Sequence, residues 1–222
     1  MALVVVATTG GLMDLGEVSL HIASLWPRAV TVIEADPDGG RLAARHDWDV
    51  RPGLVEMTAA LRGASDGELD LSSIVRSHTP QVGVVVAPPA AEPVMAALPV
   101  LANRVLELQR RIATDVIVDI GRIRPDSPAN ALAAAADRRV LVSRTDLEDI
   151  VSIVHRSTHL RSLGEWSILT AGGRYASSEV DRAIEWPLLA TLLPDNSKSS
   201  TKLRQAIAGL AESATRLLAE AV

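Results

Sequence analysis

A glycine-rich segment follows the first apolar run of the chain and has the spacing of a phosphate-binding loop. Within residues 8–19, Gly11 and Gly16 fit the pattern G-x-x-x-x-G-K-[ST]. In such a loop the backbone N–H groups cradle phosphates at a helix N-terminus, the Lys contacts the outer phosphates, and the Ser or Thr holds Mg²⁺. The spacing alone therefore points to a nucleoside phosphate.

The two side chains that carry this chemistry are replaced. Glu17 occupies the Lys position, where a carboxylate repels phosphate, and Val18 occupies the Ser/Thr position, where it cannot coordinate a metal. No other register restores the motif, because the sequence has no lysine before residue 198. Asp14 adds a second negative charge, suited to capping a helix N-terminus. Two interpretations stay open: a phosphate loop without its anion site, or a glycine-rich strand-to-helix turn.

Carboxylates follow two further apolar runs. Glu34 and Asp36 end the second run, with Asp38 directly after them, and Asp119 lies within a later run at 115–122. Because ligands bind at the carboxyl ends of parallel strands, these groups belong at the same edge as the glycine-rich segment. Such carboxylates can support a metal ion, or they can serve as turn and cap residues.

Two smaller groups of residues could also carry chemistry. Arg122 and Arg124 follow the later run and could replace the charge of the missing lysine, although loop arginines are more often solvated. His155 and His159 have the four-residue spacing of a metal-binding helix face, but a supporting ligand is not evident. We expect an exposed polar face there and no metal site.

Short apolar runs alternate with segments of helical period, which is typical of a parallel sheet covered on both faces. The predicted strands are Leu3–Ala7, Val30–Glu34, Val82–Ala87, Val116–Ile120, Val140–Ser143 and Ser167–Thr170, with Leu188–Leu193 as a candidate seventh. The polar segment 63–80 is interpreted as a loop, and the last helix is predicted from about Ser200. We predict an α/β fold, with a single doubly wound, mostly parallel sheet of about 6–7 strands and helices on both faces. One domain is expected over residues 1–222.

The segment 32–41 resembles the D-x-D-P stretch of the MinD/ParA family of deviant P-loop ATPases, with Glu34 and Asp36 at the acidic positions. The run at 115–122 resembles that family's Walker B strand. The resemblance implies that Asp119 would hold a water ligand of the metal and that Gly121 would lie near the γ-phosphate. It covers nearly the whole chain in the right order, and it implies a P-loop NTPase-like fold in a single MinD/ParA-like domain.

Two further segments carry the resemblance. Residues 54–62, preceded by Pro52-Gly53, are similar to a helix of actinobacterial MinD-like proteins. Residues 184–195 are similar to the late segment whose turn, here Pro194-Asp195, lies against the nucleotide base in relatives. The chain also resembles the Tad-pilus localisation proteins, a MinD-like branch with irregular phosphate loops.

The chain departs from this family at the phosphate loop. Active relatives carry two lysines there, and Leu12 and Glu17 stand at those positions. The resemblance therefore implies a degenerate phosphate loop. The acidic residues Glu34, Asp36 and Asp119 would then be vestigial, and no catalytic residue, cofactor or metal is expected. The vestigial nucleotide site comprises Gly10, Gly11, Gly16, Glu17, Val18, Asp36, Asp119, Gly121, Pro194 and Asp195.

The leading hypothesis is a non-hydrolysing MinD/ParA-like protein, a pseudo-ATPase. It would act as a positioning or scaffold factor through protein contacts, in cell division, partitioning or pilus placement. The alternative is a nucleotide-dependent ATPase switch with a non-standard phosphate loop, which would bind ATP and Mg²⁺. From the resemblance we expect a homodimer and a protein partner of unknown identity.

Composition excludes several other classes. The absence of cysteine removes disulfides, thiolate metal sites and cysteine nucleophiles. A net charge of -5 and an aromatic set of four Trp and one Tyr argue against nucleic-acid binding. The last helix carries few cations for anionic lipid, and the first apolar run is too short to span a bilayer. We therefore expect no direct membrane anchor and a cytoplasmic location.

Overall fold

The computed structural model describes residues 1–10, 14–63, 71, 73–105, 108, 112, 114–184, 186–192 and 197–220, with the backbone alone for 197–200 and 216–220. Its strands are β1 (Leu3–Thr8), β2 (Val30–Glu34), β3 (Arg76–Thr79), β4 (Val82–Val85), β5 (Asp115–Arg122), β6 (Arg138–Ser143), β7 (Ser167–Thr170) and β8 (Leu188–Thr191). Its helices are α1 (Leu15–Ser24), α2 (Leu42–Arg45), α3 (Leu54–Gly63), α4 (Ala91–Asn103), α5 (Asn130–Ala135), α6 (Leu147–His155), α7 (Ser157–Leu163), α8 (Ser177–Ala183) and α9 (Ser197–Glu220).

The strands form one sheet in the order β3-β4-β2-β5-β1-β6-β7-β8. All of the pairings are parallel except that between β3 and β4. Every residue of β1 and β2 is buried, as expected for central strands covered on both faces. The β-branched side chains of these runs suit a pleated surface that packs on two layers.

The core is divided by the sheet into two layers. Leu3 and Val5 of β1 point into a cluster that includes residues of α3 to α8, whereas Val4 and Val6 point to the side of α1, α2 and α9. This alternation follows from the two-residue period of a strand. Helices therefore cover both faces, and the predicted doubly wound, mostly parallel sheet is confirmed.

The sheet has one strand more than the upper end of the predicted count. The additional strand is β3, which lies inside the segment 63–80 that was interpreted as a loop. Its sequence, Arg-Ser-His-Thr, is polar. The strand is largely exposed because it is the edge strand of the sheet, where it pairs antiparallel with β4. An edge strand of this kind carries little hydrophobic signal. The candidate seventh strand is present as β8, although Leu193 lies outside the described residues.

The helices differ from expectation at one point. His155 and His159 were placed on one continuous helix, but α6 ends at His155, and Arg156 separates it from α7. The two imidazoles therefore do not share one regular helical face. No helix in the described part of the chain is both long enough and apolar enough to cross a membrane.

Candidate functional site

The segments after β1, β2 and β5 meet at one edge of the sheet. The register pairs Asp119 of β5 with Val6 of β1 on one side and with Glu34 of β2 on the other. A cavity of about 160 Å³ opens there. It is lined by Thr8, Gly10, Asp14, Leu15, Gly16, Glu34, Asp36, Asp38, Gly39, Arg41, Asp119, Gly121, Arg122 and Arg124.

Asp119 lies at the floor of this cavity and is only 3% exposed. Its Oδ1 accepts the N–H of Gly121 at 2.8 Å, while its Oδ2 faces Gly16, where an added Cβ would lie 3.6 Å away. Burial raises the pKa of Asp119 well above its usual value, and the negative charges of Asp36, Glu34 and Asp14 raise it further. This carboxyl group is therefore desolvated among like charges.

Asp36 lies beside it, on the other side of Gly121. Its Oδ1 accepts the N–H of Asp38 at 2.9 Å, which closes a turn after β2. Burial raises the pKa of Asp36, with a contribution from the charge of Asp38. Gly121 has φ +64, and a Cβ at this position would collide with the Asp36 carboxyl carbon. The close approach of the two segments therefore requires glycine.

Glu34 has a different environment, because its carboxylate is occupied by backbone donors. Oε1 accepts the N–H groups of Arg41 at 2.6 Å and Leu42 at 3.0 Å, and Oε2 accepts the N–H of Ala87 at 2.9 Å. Arg41 is the N-cap residue of α2. Burial raises the pKa of Glu34, and the three N–H donors act against this shift. Glu34 thus joins the start of α2 to the segment after β4.

The start of α1 carries its own carboxylates. Asp14 is the N-cap residue and accepts the N–H of Glu17 at 3.4 Å, and it also forms an ion pair with Arg45 of α2. Glu17 does not line the cavity. Its Oε1 lies 2.8 Å from Nε2 of His46 and 3.6 Å from Nε of Arg45, so it joins α1 to α2. Val18 packs against the core on the α1 side of the sheet.

Three arginines line the cavity with these acids, namely Arg41, Arg122 and Arg124. Arg122 donates from Nε to the carbonyl oxygen of Thr9 at 3.0 Å, and Arg124 donates to Oδ2 of Asp38 at 2.6 Å. Arg41 was not anticipated from the sequence. The signal for it was its position directly after the glycine pair 39–40, at the mouth of the same turn.

Several of the sequence-predicted residues are brought together by the fold. Gly10, Gly16, Asp36, Asp119 and Gly121 all line the cavity, as does Glu34, whereas Glu17 and Val18 do not. Gly11, Pro194 and Asp195 lie outside the described residues. Among the residues that the structure describes, no group of three or more His, Asp or Glu side chains is arranged to hold a metal ion.

The cavity therefore has more carboxylates than cations. Its lining includes five acidic side chains and three guanidinium groups. The Glu34 carboxylate accepts backbone N–H groups, and Asp14 caps α1 and pairs with Arg45. Asp38 pairs with Arg124. Asp36 and Asp119 each retain one oxygen with no hydrogen bond to the described residues.

The fold is that of the MinD/ParA-like P-loop proteins. Solved structures with this fold superpose on nearly the whole chain at low sequence identity. A ParA family ATPase from Chlorobium tepidum is 14% identical, with a TM-score of 0.68, covering 97% of this chain and 94% of that one. McdA from Cyanothece in complex with ATP is 16% identical, with a TM-score of 0.67, covering 98% and 92%.

A third solved structure is a complex of two proteins. The MinC:MinD cell division protein complex from Aquifex aeolicus contains a chain that is 11% identical, with a TM-score of 0.64, covering 100% of this chain and 97% of that one. At these identities the likeness is one of fold. No protein-family model matches the sequence, and no curated protein matches it.

Proposed function

We propose that this protein is a non-hydrolysing MinD/ParA-like protein that acts as a positioning or scaffold factor through protein contacts. It would work in cell division, partitioning or pilus placement. The observation that carries the proposal is the start of α1, where the Asp14 carboxylate accepts the N–H of Glu17 at the helix N-terminus.

A helix N-terminus attracts phosphate because its first N–H groups are unpaired and its dipole is positive there. Asp14 uses one of these N–H groups, and Arg45 neutralises the Asp14 charge from α2. A bound phosphate would therefore compete with a carboxylate already in place. Glu17, at the position of the usual lysine, turns toward His46 and brings no positive charge to the cavity.

The remaining groups support this view. Mg²⁺ bound with a nucleotide needs oxygen ligands from the loop, and Val18 offers none. Burial raises the pKa of Asp36 and of Asp119, so ionising these two carboxyl groups to hold Mg²⁺ would carry a cost, and neither group supplies a positive charge for phosphate. The charge pattern and donor set thus fit Mg-ATP poorly, and hydrolysis is not expected.

A role through protein contacts rests on the fold and on what one of the solved structures contains. One of them is a MinC:MinD complex, so a chain of this fold assembles with a second protein there. For the present protein we propose a protein partner and a homodimer, with no nucleic acid and no lipid anchor. The net charge of -5 is consistent with this set of partners.

A nucleotide-dependent switch is the second candidate, and one observation favours it. Arg41, Arg122 and Arg124 line the same cavity, and guanidinium groups bind phosphate well. One of the solved structures with this fold is an ATP complex. In this case arginines would supply the charge that lysines supply elsewhere.

Sedimentation velocity with and without Mg-ATP distinguishes the two candidates. A scaffold whose assembly is independent of nucleotide gives the same distribution of species in both conditions, and we expect a dimer in each. ATP turnover, measured in parallel, should equal the buffer blank. A monomer that dimerises only with ATP, or turnover that is abolished by Asp36→Ala, would establish the switch instead.

A further inference from the structure

Helix α6 exposes an apolar face to solvent. Its residues Leu147, Val151 and Val154 are 58%, 43% and 47% exposed. Because they are spaced by four and then three residues, these side chains lie on one side of the helix. The other three exposed large hydrophobic side chains of the described residues lie on separate parts of the chain. A concentration of apolar surface on one helix is typical of an interaction site, whereas scattered apolar residues are not.

The inner side of α6 is already used by the fold. Ile153 is fully buried in the core, and Ile150 packs against the same cluster while partly exposed. The helix is therefore anchored to the sheet without its three exposed apolar residues. These residues are left for contacts outside the protomer.

Two polar residues flank the apolar face, one toward each end of α6. Glu148 and His155 are exposed and are seven residues apart, which places them on the same flank of the helix. Neither side chain has a hydrogen-bond or ion-pair partner among the described residues. The α6 face, defined here as residues 147, 148, 151, 154 and 155, thus has an acid at its amino-terminal end and an imidazole at its carboxyl-terminal end.

We propose that the α6 face is the interface of a homodimer, in which α6 pairs antiparallel with α6 of a second copy. This inference rests on the homodimer of the proposed function and assigns it a surface. The two-fold axis passes near Val151, so the two copies of this side chain contact each other. Leu147 of each copy then packs beside Val154 of the other.

The polar flank favours a second copy in this orientation as the occupant. In an antiparallel pair, Glu148 of one copy lies beside His155 of the other, and symmetry makes this contact twice. An imidazole carries an N–H donor for a carboxylate in both its neutral and its protonated form. A parallel pair would instead place Glu148 beside Glu148, where like charges repel. Antiparallel helices also bring the positive end of each dipole beside the negative end of the other.

The α6 face is the centre of this contact and not the whole of it. A stable dimer buries about 800 Å² of surface on each protomer, which is more than three side chains supply. Residues around α6 therefore form a polar rim, as in other interfaces. Because the residues that dominate binding lie near the middle of an interface, Val151 should be the most sensitive position.

Sedimentation velocity of the full chain without nucleotide, over a range of protein concentrations, tests the interface. Val151→Glu places two carboxylates against each other at the two-fold axis, so the dissociation constant of the dimer should rise by about a hundredfold. Met95→Glu is the matched control, because Met95 is also 43% exposed but lies on α4. We expect it to leave the dimer intact. Circular dichroism confirms that both variants are folded.

A cross-linking experiment tests the same contact with a milder substitution. Since the sequence has no cysteine, Val151→Cys provides the single thiol of the chain. Two such thiols at the axis of a closely packed helix pair are within disulfide range. Under mild oxidation with copper-phenanthroline, we expect Val151→Cys to form a covalent dimer much faster than Met95→Cys. Equal rates in the two variants would overturn the proposal.

The antiparallel direction is tested by exchanging the charges of the flank. His155→Glu should raise the dissociation constant by about tenfold, because the new carboxylate faces Glu148 at two symmetry-related contacts. Adding Glu148→Lys to the same chain should restore the affinity. A double variant that dimerises no better than His155→Glu alone would overturn the antiparallel pairing.

The outcomes separate this interface from the proposed function. A wild-type protein that stays monomeric at every concentration would contradict the homodimer itself, and the interface with it. A wild-type dimer that persists in Val151→Glu, or that Met95→Glu weakens equally, would overturn the α6 interface alone and leave the homodimer standing.

Discussion

Asp115 and Asp119 belong to the same strand, β5, but they differ in how their carboxylates are paired. Asp115 is at the amino end of the strand, and Asp119 lies toward its carboxyl end. Both are almost fully buried, at 4% and 3% exposure. Asp115 accepts hydrogen bonds from the backbone N–H of Ala2, from Nε1 of Trp26 and from two nitrogens of Arg28. Among the described residues, Asp119 accepts one hydrogen bond, from the N–H of Gly121.

The difference shows which carboxylate the fold uses for its own stability. Buried charges are stabilising when paired and costly when they are not. At the amino edge, Asp115 joins β5 to β1, to the turn after α1 and, through Arg28, to the hydroxyl of Thr215 in α9. At the carboxyl edge, Asp119 remains among other acids. An under-paired buried group at the ligand-binding edge is typical of a site that has served, or serves, a function.

Asp115→Asn should have the largest effect on stability. The asparagine side chain has one acceptor oxygen, whereas four donor contacts converge on the Asp115 carboxylate. Its NH₂ group is itself a donor and would face other donors. We expect the free energy of unfolding to fall by about 3 kcal/mol, because Arg28 also loses its buried partner. Urea unfolding followed by circular dichroism measures this change. A loss of under about 1 kcal/mol would mean that the network contributes no more than a surface ion pair.

Glu34→Gln tests whether a well-bonded carboxylate at the carboxyl ends of the strands also stabilises the fold. Glu34 is a carboxylate of the candidate site, but donors bond to both of its oxygens, as they do at Asp115; at Glu34 all three donors are backbone N–H groups. The amide can satisfy these donors only in part, so we expect a loss of about 2 kcal/mol by the same urea method. An unchanged stability would show that Glu34 is a free site residue and not a clamp on α2.

Asp119→Asn should have the smallest effect and the opposite sign. The raised folded-state pKa means that the carboxyl group stabilises the fold most at a pH below its unfolded pKa, and this contribution is lost as the pH rises through the folded pKa. The amide removes that loss and keeps an acceptor for the N–H of Gly121. We expect the free energy of unfolding to increase by about 0.5–2 kcal/mol near neutral pH, which is the usual size of a single stabilising substitution.

The pH dependence provides the internal control for this variant. As the pH falls toward about 4, the wild-type carboxyl group becomes protonated and the advantage of Asp119→Asn should shrink. Urea unfolding at a series of pH values measures it. Destabilisation by Asp119→Asn at neutral pH, comparable to that of Asp115→Asn, would remove the distinction between the two edges.

Most of the fold follows from local signals in the sequence. The apolar runs predicted β1, β2 and β4 to β7 and made β8 a candidate, because central parallel strands are continuous in hydrophobicity. The polar edge strand β3 was missed, since only its pairing with β4 reveals it. Short α2 was missed as well, because four residues carry too little periodicity to predict a helix.

The residue types of the candidate site could be predicted from the sequence, but the partners of their side chains could not. The sequence identifies Glu17 as an acid in the place of lysine, but its partners are Arg45, the last residue of α2, and His46, directly after it, and α2 was not predicted. The donors to Glu34 come from residues 41, 42 and 87, so their convergence depends on tertiary packing. Asp36, Asp119 and Gly121 were identified together because the ends of parallel strands always meet at one edge.

We propose that the carboxylate-lined cavity does not bind a nucleotide. Isothermal titration calorimetry of the full chain with Mg-ATP tests it most directly, with a ParA family ATPase as positive control. We expect no saturable heat for this protein at concentrations that saturate the control. Micromolar affinity for Mg-ATP, lost in an Arg122→Ala and Arg124→Ala double variant that remains folded, would contradict it and establish an arginine-based nucleotide site.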